Sequence, residues 1–240
     1  ALDIGHGTGF FKQVRVRQGG YDECADAQVI IITAGLARKP GQTRLDLAKA
    51  NVSIIQSVTR SIMQYAKNPL IVVVSNPADI LTAAVTKESG LPAGRVIGSG
   101  TSLDTARFRY SLSRMCDVNI ADIDAFILGE HGDSQVPIWS QVSIGGLSLD
   151  EFCKQKNIVL DKETLAEWTK DAGAEVIGLK GATFYGIAMS VSSIIETIMK
   201  DEHGILPVAH VLDESFGDWA GVAISLPCLL GWDGIEQSFC

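Results

Sequence analysis

The sequence predicts an α/β protein built on a parallel sheet, and three observations carry that reading. Val29-Ile30-Ile31-Ile32-Thr33 and Leu70-Ile71-Val72-Val73-Val74 are uninterrupted apolar, β-branched runs, the pattern of strands buried on both faces. Between them, Leu45, Ala48, Val52, Ile55, Ile62 and Ala66 recur at helical spacing and mark a helix with one buried stripe. After Gly98-Ser99-Gly100 the alternation of strand and helix gives way to a helix followed by mixed strands, so a domain boundary is placed there, with residues 1–98 on one side and 99–240 on the other.

The elements follow in order. Gly5-His6-Gly7-Thr8-Gly9 superficially suggests a nucleotide-binding loop, but such a loop must follow a strand and open a helix, and no strand precedes it. His6 is therefore read as structural. Val14 and Val16 alternate with Arg15 and Arg17 as in a half-exposed strand. The run Val29–Thr33 ends in Ala34-Gly35, and Leu70–Val74 ends in Ser75-Asn76-Pro77; ligands approach parallel sheets at these carboxyl ends. Residues 78–88 read as a helix stopped by Ser89-Gly90-Leu91-Pro92, and Val96-Ile97 as a short strand. Residues 103–115 form the next helix and Ala125–Leu128 a buried strand. Residues 135–144 read as paired strands and residues 147–153 as a short helix. Two long helices, 163–179 and 183–199, come next, the second with Thr183 as N-cap. Ile205-Leu206-Pro207-Val208 and Ile224-Ser225-Leu226-Pro227-Cys228 read as strands that their prolines place near a sheet edge.

Composition narrows the function. At 240 residues, 46% hydrophobic and 20% charged, the chain can bury a sizeable core. A net charge of -8 and a pI near 5.0 disfavour nucleic acid or an anionic membrane as partner while leaving room for local cationic sites. Five scattered cysteines without a CxxC pair indicate neither a disulfide framework nor a zinc site, so no metal is expected and a reducing cytoplasm fits best. There is no charged leader before an apolar segment and no apolar span of membrane length.

The chemistry gathers at Gly129-Glu130-His131-Gly132-Asp133, where a strand gives way to a loop. An imidazole titrates near neutrality and both takes and returns a proton, which oxidation of an alcohol to a ketone requires. Asp104 and Arg107, three positions apart on one helix, share a face and can address one pocket. Taken singly, His131 is an ordinary loop residue and Asp104–Arg107 a surface ion pair; two further motifs change that balance.

Residues 35–44 (Gly-Leu-Ala-Arg-Lys-Pro-Gly-Gln-Thr-Arg), Ser75-Asn76-Pro77, the 103–109 run and Gly129–Asp133, in that order, resemble the NAD-dependent lactate/malate dehydrogenase family. The resemblance implies a partial doubly wound, Rossmann-type dinucleotide domain over 1–98, whose first strand and glycine-rich loop would precede Ala1. It implies an α+β substrate domain over 99–240, with a closing helix after Cys240. It further implies NAD as cofactor, bound along Thr33, Ala34, Gly35 and Asn76, and a small L-2-hydroxy or 2-oxo acid as substrate. By the same resemblance His131, Asp104 and Arg44 are catalytic: His131 moves the proton, Asp104 orients it and Arg44 polarises the carbonyl. Arg107, Arg38, Asn76 and Thr183 bind substrate, with Arg107 forking the carboxylate. The peptide before Pro77 is expected to be cis, and a homo-oligomer, dimer or tetramer, is expected. With the first strand expected to precede Ala1, residues 1–240 alone are expected to bind NADH weakly or not at all.

Substrate choice divides the motifs. Arg38 stands where lactate enzymes of the family carry Gln and malate enzymes Arg, and an Arg there would pair with a second carboxylate. Against it, Gln42–Leu47, Gly98-Ser99-Gly100, Leu206-Pro207-Val208 and Ser225–Cys228 look like lactate dehydrogenases, which tips the reading to lactate with malate as the alternative. Many bacterial members are activated by fructose 1,6-bisphosphate through an arginine matching Arg109 and a histidine seven residues before the catalytic one. That second position is Asp124 here, and no activation is expected. Two rivals remain: a serine hydrolase, which lacks its Gly-x-Ser-x-Gly elbow, and a non-catalytic fragment.

Overall fold

The structure, a computed structural model, describes residues 1–10, 14–36, 44–92 and 94–240, with the side chains of residues 44–46 outside that description. In chain order come α1 (Leu2–Gly7), β1 (Val29–Ile32), α2 (Arg44–Met63), β2 (Leu70–Val73), α3 (Ala78–Ser89) and β3 (Val96–Gly98). Then follow α4 (Ser102–Cys116), β4 (Ile123–Asp124), β5 (Ile127–Leu128), β6 (Val136–Pro137), β7 (Ser143–Ile144) and β8 (Leu147–Ser148). The chain continues through α5 (Leu149–Lys156), α6 (Lys162–Lys180), α7 (Tyr185–Met199), β9 (Gly204–Val211), β10 (Ala223–Gly231) and β11 (Gly234–Ser238).

Six strands form one sheet in the order β1-β2-β3-β9-β10-β11. The first three are parallel, as helical crossovers require, and the remaining pairings are antiparallel. Strand β2 shows why an unbroken apolar run is needed. Ile71 and Val73 pack with Ile55 and Ile62 of α2 and Leu81 and Val85 of α3, while Leu70 and Val72 face Val191, Ile194 and Ile198 of α7. All four β2 side chains are buried, as a strand covered on both faces must be. A third core joins Phe108, Leu112 and Cys116 of α4 to Ile123, Ile127, Ile144, Leu149 and Leu165, with Trp139 set edge-on to Phe108 at 4.9 Å.

Several expectations need correction. Strand β1 is not buried on both faces: Ile31 is 44% exposed, because β1 is the edge of the described sheet and the α7 core is centred on β2, β3, β9 and β10. Residues 14–17 form no strand, having no partner among the described residues. The glycine-rich start is helical, ending in a 3-10 turn at Thr8–Phe10, which agrees with its rejection as a phosphate loop. The strands expected over 135–144 do not pair with each other. β6 pairs with β5, whereas β7 pairs with β4 and β8, and a 3-10 turn at Trp139–Gln141 separates them. A two-residue strand opens the expected 147–153 helix, which starts at Leu149 behind the Ser148 Oγ cap and runs on to Lys156.

The prolines misplace β9 and β10, which lie inside the sheet. Pro207 and Pro227 stand directly opposite each other. Two residues without N–H groups can be opposed only at a non-hydrogen-bonded position, where each missing donor points to the outer neighbour. On those outer sides pairing is sparse: β3 meets β9 only at Gly98–Ala209, and the register of β11 on β10 ends at Cys228.

Candidate active site

Local chemistry brings α4 against β5. Thr101 Oγ1 donates to the Ile127 carbonyl at 2.5 Å, and Thr105 Oγ1 accepts the Ile127 N–H at 2.9 Å. These bonds fix the first turn of α4 and hence Asp104, which is 3% exposed. Beyond β5 the chain turns at Gly129, whose φ of 95° suits glycine. Gly129 exchanges two backbone hydrogen bonds with Ser225 of β10, each 3.0 Å. Ser225 Oγ in turn accepts the Thr101 N–H at 3.1 Å. The approach is close enough that a Cβ on Gly100 would fall 2.4 Å from Ser225 Oγ and 2.6 Å from the Ala209 nitrogen, so only glycine fits.

His131 follows this anchored turn. Its Nδ1 lies 2.6 Å from Asp104 Oδ2; a carboxylate only accepts, so Nδ1 carries the proton and Nε2 is the nitrogen available to a substrate. Arg107 Nη1 donates to the other Asp104 oxygen at 2.9 Å. Burial alone would hold the imidazole pKa down, but the hydrogen bond and charge of Asp104, joined by the charge of Asp79, outweigh burial and the opposing Arg107 and raise it. The charged ring is thereby favoured relative to that of a free side chain.

These side chains share one cavity of about 470 Å³, lined by His131, Asp104, Arg107, Asn76 and Thr183 together with residues of α6. The structure thus brings together five of the predicted site residues. Thr183 lines the cavity but caps no helix, because α7 begins at Tyr185 with Phe184 at the N-cap position. On α6, Gly173 leaves room for the Arg107 guanidinium, which a Cβ there would approach to 3.3 Å. Lys170 adds a second cation to the wall.

Thr33, Ala34 and Gly35 lie at the carboxyl end of β1, with Thr33 and Gly35 exposed. Asn51 of α2, 1% exposed, braces this edge: its Oδ1 accepts the Leu36 N–H at 2.7 Å, and its Nδ2 donates to Asn76 O at 2.8 Å. Ser75 Oγ donates to Ala34 O at 2.6 Å. The strand ends expected to carry the cofactor are therefore tied together. The peptide between Asn76 and Pro77 is cis. Arg38 lies outside the described residues, and Arg44 opens α2 with its side chain outside them.

Sequence reasoning missed Asn51 and Asp79. Asn51 could have been suspected as a polar residue beside the buried stripe of α2. Asp79, an acid in the first turn after Asn76-Pro77, reads in sequence as a helix-dipole residue.

Residues 1–98 match the family model described as lactate/malate dehydrogenase, NAD binding domain, and residues 101–239 match lactate/malate dehydrogenase, alpha/beta C-terminal domain. The chain belongs to the lactate/malate dehydrogenase family. Among relatives, L-lactate dehydrogenases of Kosmotoga olearia and Priestia megaterium are each 44% identical to it, over 99% of this chain and 75% of theirs. Among solved structures, an L-lactate dehydrogenase from Clostridium thermocellum superposes with a TM-score of 0.86 at 44% identity. A lactate dehydrogenase from a Medee basin deep-sea metagenome library does so at 0.95 with 38% identity; both cover all of this chain and 77% of the solved one. The chain thus spans about three quarters of the length of these family members. It has the fold of the family, and its NAD-binding domain identifies the cofactor as NAD.

Proposed function

We propose that this chain catalyses reversible oxidation of L-lactate to pyruvate with NAD. The reading is carried by one observation, the His131–Asp104–Arg107 constellation lining a single cavity. The names of its relatives, L-lactate dehydrogenases, favour lactate over malate. When bound, NAD supplies the hydride acceptor and donor. The protein's own residues do the rest. His131 Nε2 takes the substrate hydroxyl proton during oxidation and returns it during reduction, while Asp104 holds the ring and stabilises the imidazolium. Arg107 pairs with the substrate carboxylate through its guanidinium fork. Thr183 and Asn76 line the space for the rest of the substrate, and Arg44 polarises its carbonyl. Thr33, Ala34, Gly35 and Asn76 hold the nicotinamide end of NAD. Residues 1–98 form the cofactor domain and 99–240 the substrate domain.

The enzyme is further proposed to work in the cytoplasm as a homo-oligomer. Among the described residues no helix is long and apolar enough to cross a membrane. The oligomer draws support from exposed apolar side chains on α6 and α7, including Trp168, Ile177, Leu179, Tyr185 and Met189. The cytoplasm draws support from five free cysteines, three of them buried.

The experiment compares kcat/KM for pyruvate and oxaloacetate on the full-length enzyme, before and after Arg38→Gln. Pyruvate is expected to be preferred in both proteins. If oxaloacetate wins by more than about tenfold, or roughly 1.4 kcal/mol, and the substitution reverses the order, the lactate reading fails.

A further inference from the structure

We propose that Asp79 is a positioning residue for the proton-transferring histidine: from the start of α3 its carboxylate fixes the His131 main chain and sets a second negative charge against the imidazolium. The proposal rests on the role given to His131 above.

The geometry is specific. Asp79 Oδ2 accepts the His131 N–H at 2.8 Å across 52 residues of sequence. An acid in the first turn of a helix ordinarily spends itself on that helix's own free N–H groups. Here no side chain caps α3, and among the described residues the carboxylate accepts from the His131 loop instead. The second oxygen, Asp79 Oδ1, is buried and has no hydrogen-bond partner among the described residues. A buried carboxylate oxygen short of hydrogen bonds is costly, and a positive charge nearby offsets the cost. The reaction creates such a charge on His131 in one direction and starts from it in the other.

Charge sharing explains why a second acid is useful. Asp104 divides its two oxygens between His131 and Arg107, so part of its negative charge is already neutralised by the guanidinium that must also hold substrate. The charged groups facing His131 are Asp104, Asp79 and Arg107; those facing Asp79 are His131, Glu130 and Asp104. Asp79, by contrast, shares its charge with no guanidinium among the described residues and is set toward His131. Burial pushes the Asp79 carboxyl up from its usual range, and the His131 N–H and ring charge pull it back toward the ionised form. The two groups therefore favour each other's charged states. Asp79 also begins two residues after Asn76-Pro77, so one rigid corner carries a cofactor-side residue and the anchor of the proton-transfer loop.

The test uses the full-length enzyme and Asp79→Asn, which keeps volume and an acceptor while removing the charge. The readouts are the pH profile of kcat/KM for pyruvate reduction and the affinity for NADH. The alkaline limb, where His131 loses its proton, is expected to move to lower pH. Reduction should then fall about tenfold near pH 8 and stay close to the parent near pH 5.5, with NADH affinity unchanged. Asp79→Glu, which restores the charge, should recover much of the profile. A uniform loss at every pH with no movement of the limb would mean a purely structural residue and would overturn the proposal. If Asp79→Asn does not fold, Asp79→Ser provides the same comparison, and a parental limb in that variant overturns the proposal equally. His131→Asn is the control for the underlying reading: if it keeps more than about a tenth of the activity, the role of His131 has failed, whatever Asp79 does.

Discussion

At the scale of residues, the central feature is a histidine whose two ring nitrogens have different tasks. Nδ1 is spent on Asp104, and in the proposed reaction Nε2 exchanges the proton with substrate. Because the folded pKa is raised, the imidazolium survives to higher pH than in a free side chain. Pyruvate reduction needs that proton, so its kcat/KM should be level on the acid side and fall as pH rises through the folded value, with a midpoint above 6.5. Stability follows the same sign: this contribution is fully present below the unfolded value and is lost as pH rises through the folded one. Asp104→Asn removes the charge and turns one of the two accepting oxygens, which serve His131 and Arg107, into a donor. The midpoint should move down and reduction should fall about 10²- to 10⁴-fold, checked by pH-dependent kinetics alongside NADH binding, which should not change. A midpoint unchanged in the variant would show that Asp104 does not set the proton affinity of His131.

At the scale of elements, the site depends on how α4 is sewn to β5. Thr105 both accepts from and donates to Ile127, at 2.9 and 3.3 Å, in a fully buried setting. Thr105→Val keeps the shape and strands the Ile127 N–H. Stability should drop by about 1–3 kcal/mol in urea unfolding, and kcat should fall with it because Asp104 and the His131 loop share that seam. Unaltered stability would mean that water takes over the bond. The sequence made some elements plain and concealed others for reasons visible in these same residues. β2 was legible because both its faces are buried, so composition alone marks it. Strands β4 to β8 have two residues each, too few for any periodicity, and their pairing had to come from tertiary contact. Pro207 and Pro227 misled because an edge and an internal non-hydrogen-bonded pair tolerate the same missing donor. Of the site, helical spacing put Asp104 and Arg107 on one face, and the family resemblance implied their roles. Asn51 and Asp79 were not, since their hydrogen-bond partners lie 15 to 52 residues away and only the folded chain selects them.

For the molecule as a whole, charge is distributed so that one cationic side chain with a regulatory counterpart in relatives is already engaged. Arg109 Nε donates to the Ala125 carbonyl at 3.0 Å, and its guanidinium lies 5.5 Å from the Phe126 ring centre. Burial lowers its pKa, with Asp124 opposing that shift. A guanidinium so placed next to an acid is a poor receiver for two phosphates. Fructose 1,6-bisphosphate is therefore expected to leave the KM for pyruvate unchanged on the full-length enzyme, and a clear fall in KM on adding it would contradict this. The continuous sheet has a different consequence. Gly98, at the end of the cofactor-side strands, pairs with Ala209; Ala209 pairs with Ser225; and Ser225 holds Gly129, two residues before His131. Backbone pairing thus serves as a ruler laid from the hydride side of the reaction to the proton side. A slip of one residue between β9 and β10 would slide the graduation by about 3.3 Å, more than a hydrogen bond's length. Every strand could remain paired, and the histidine would still stand beside the wrong atom.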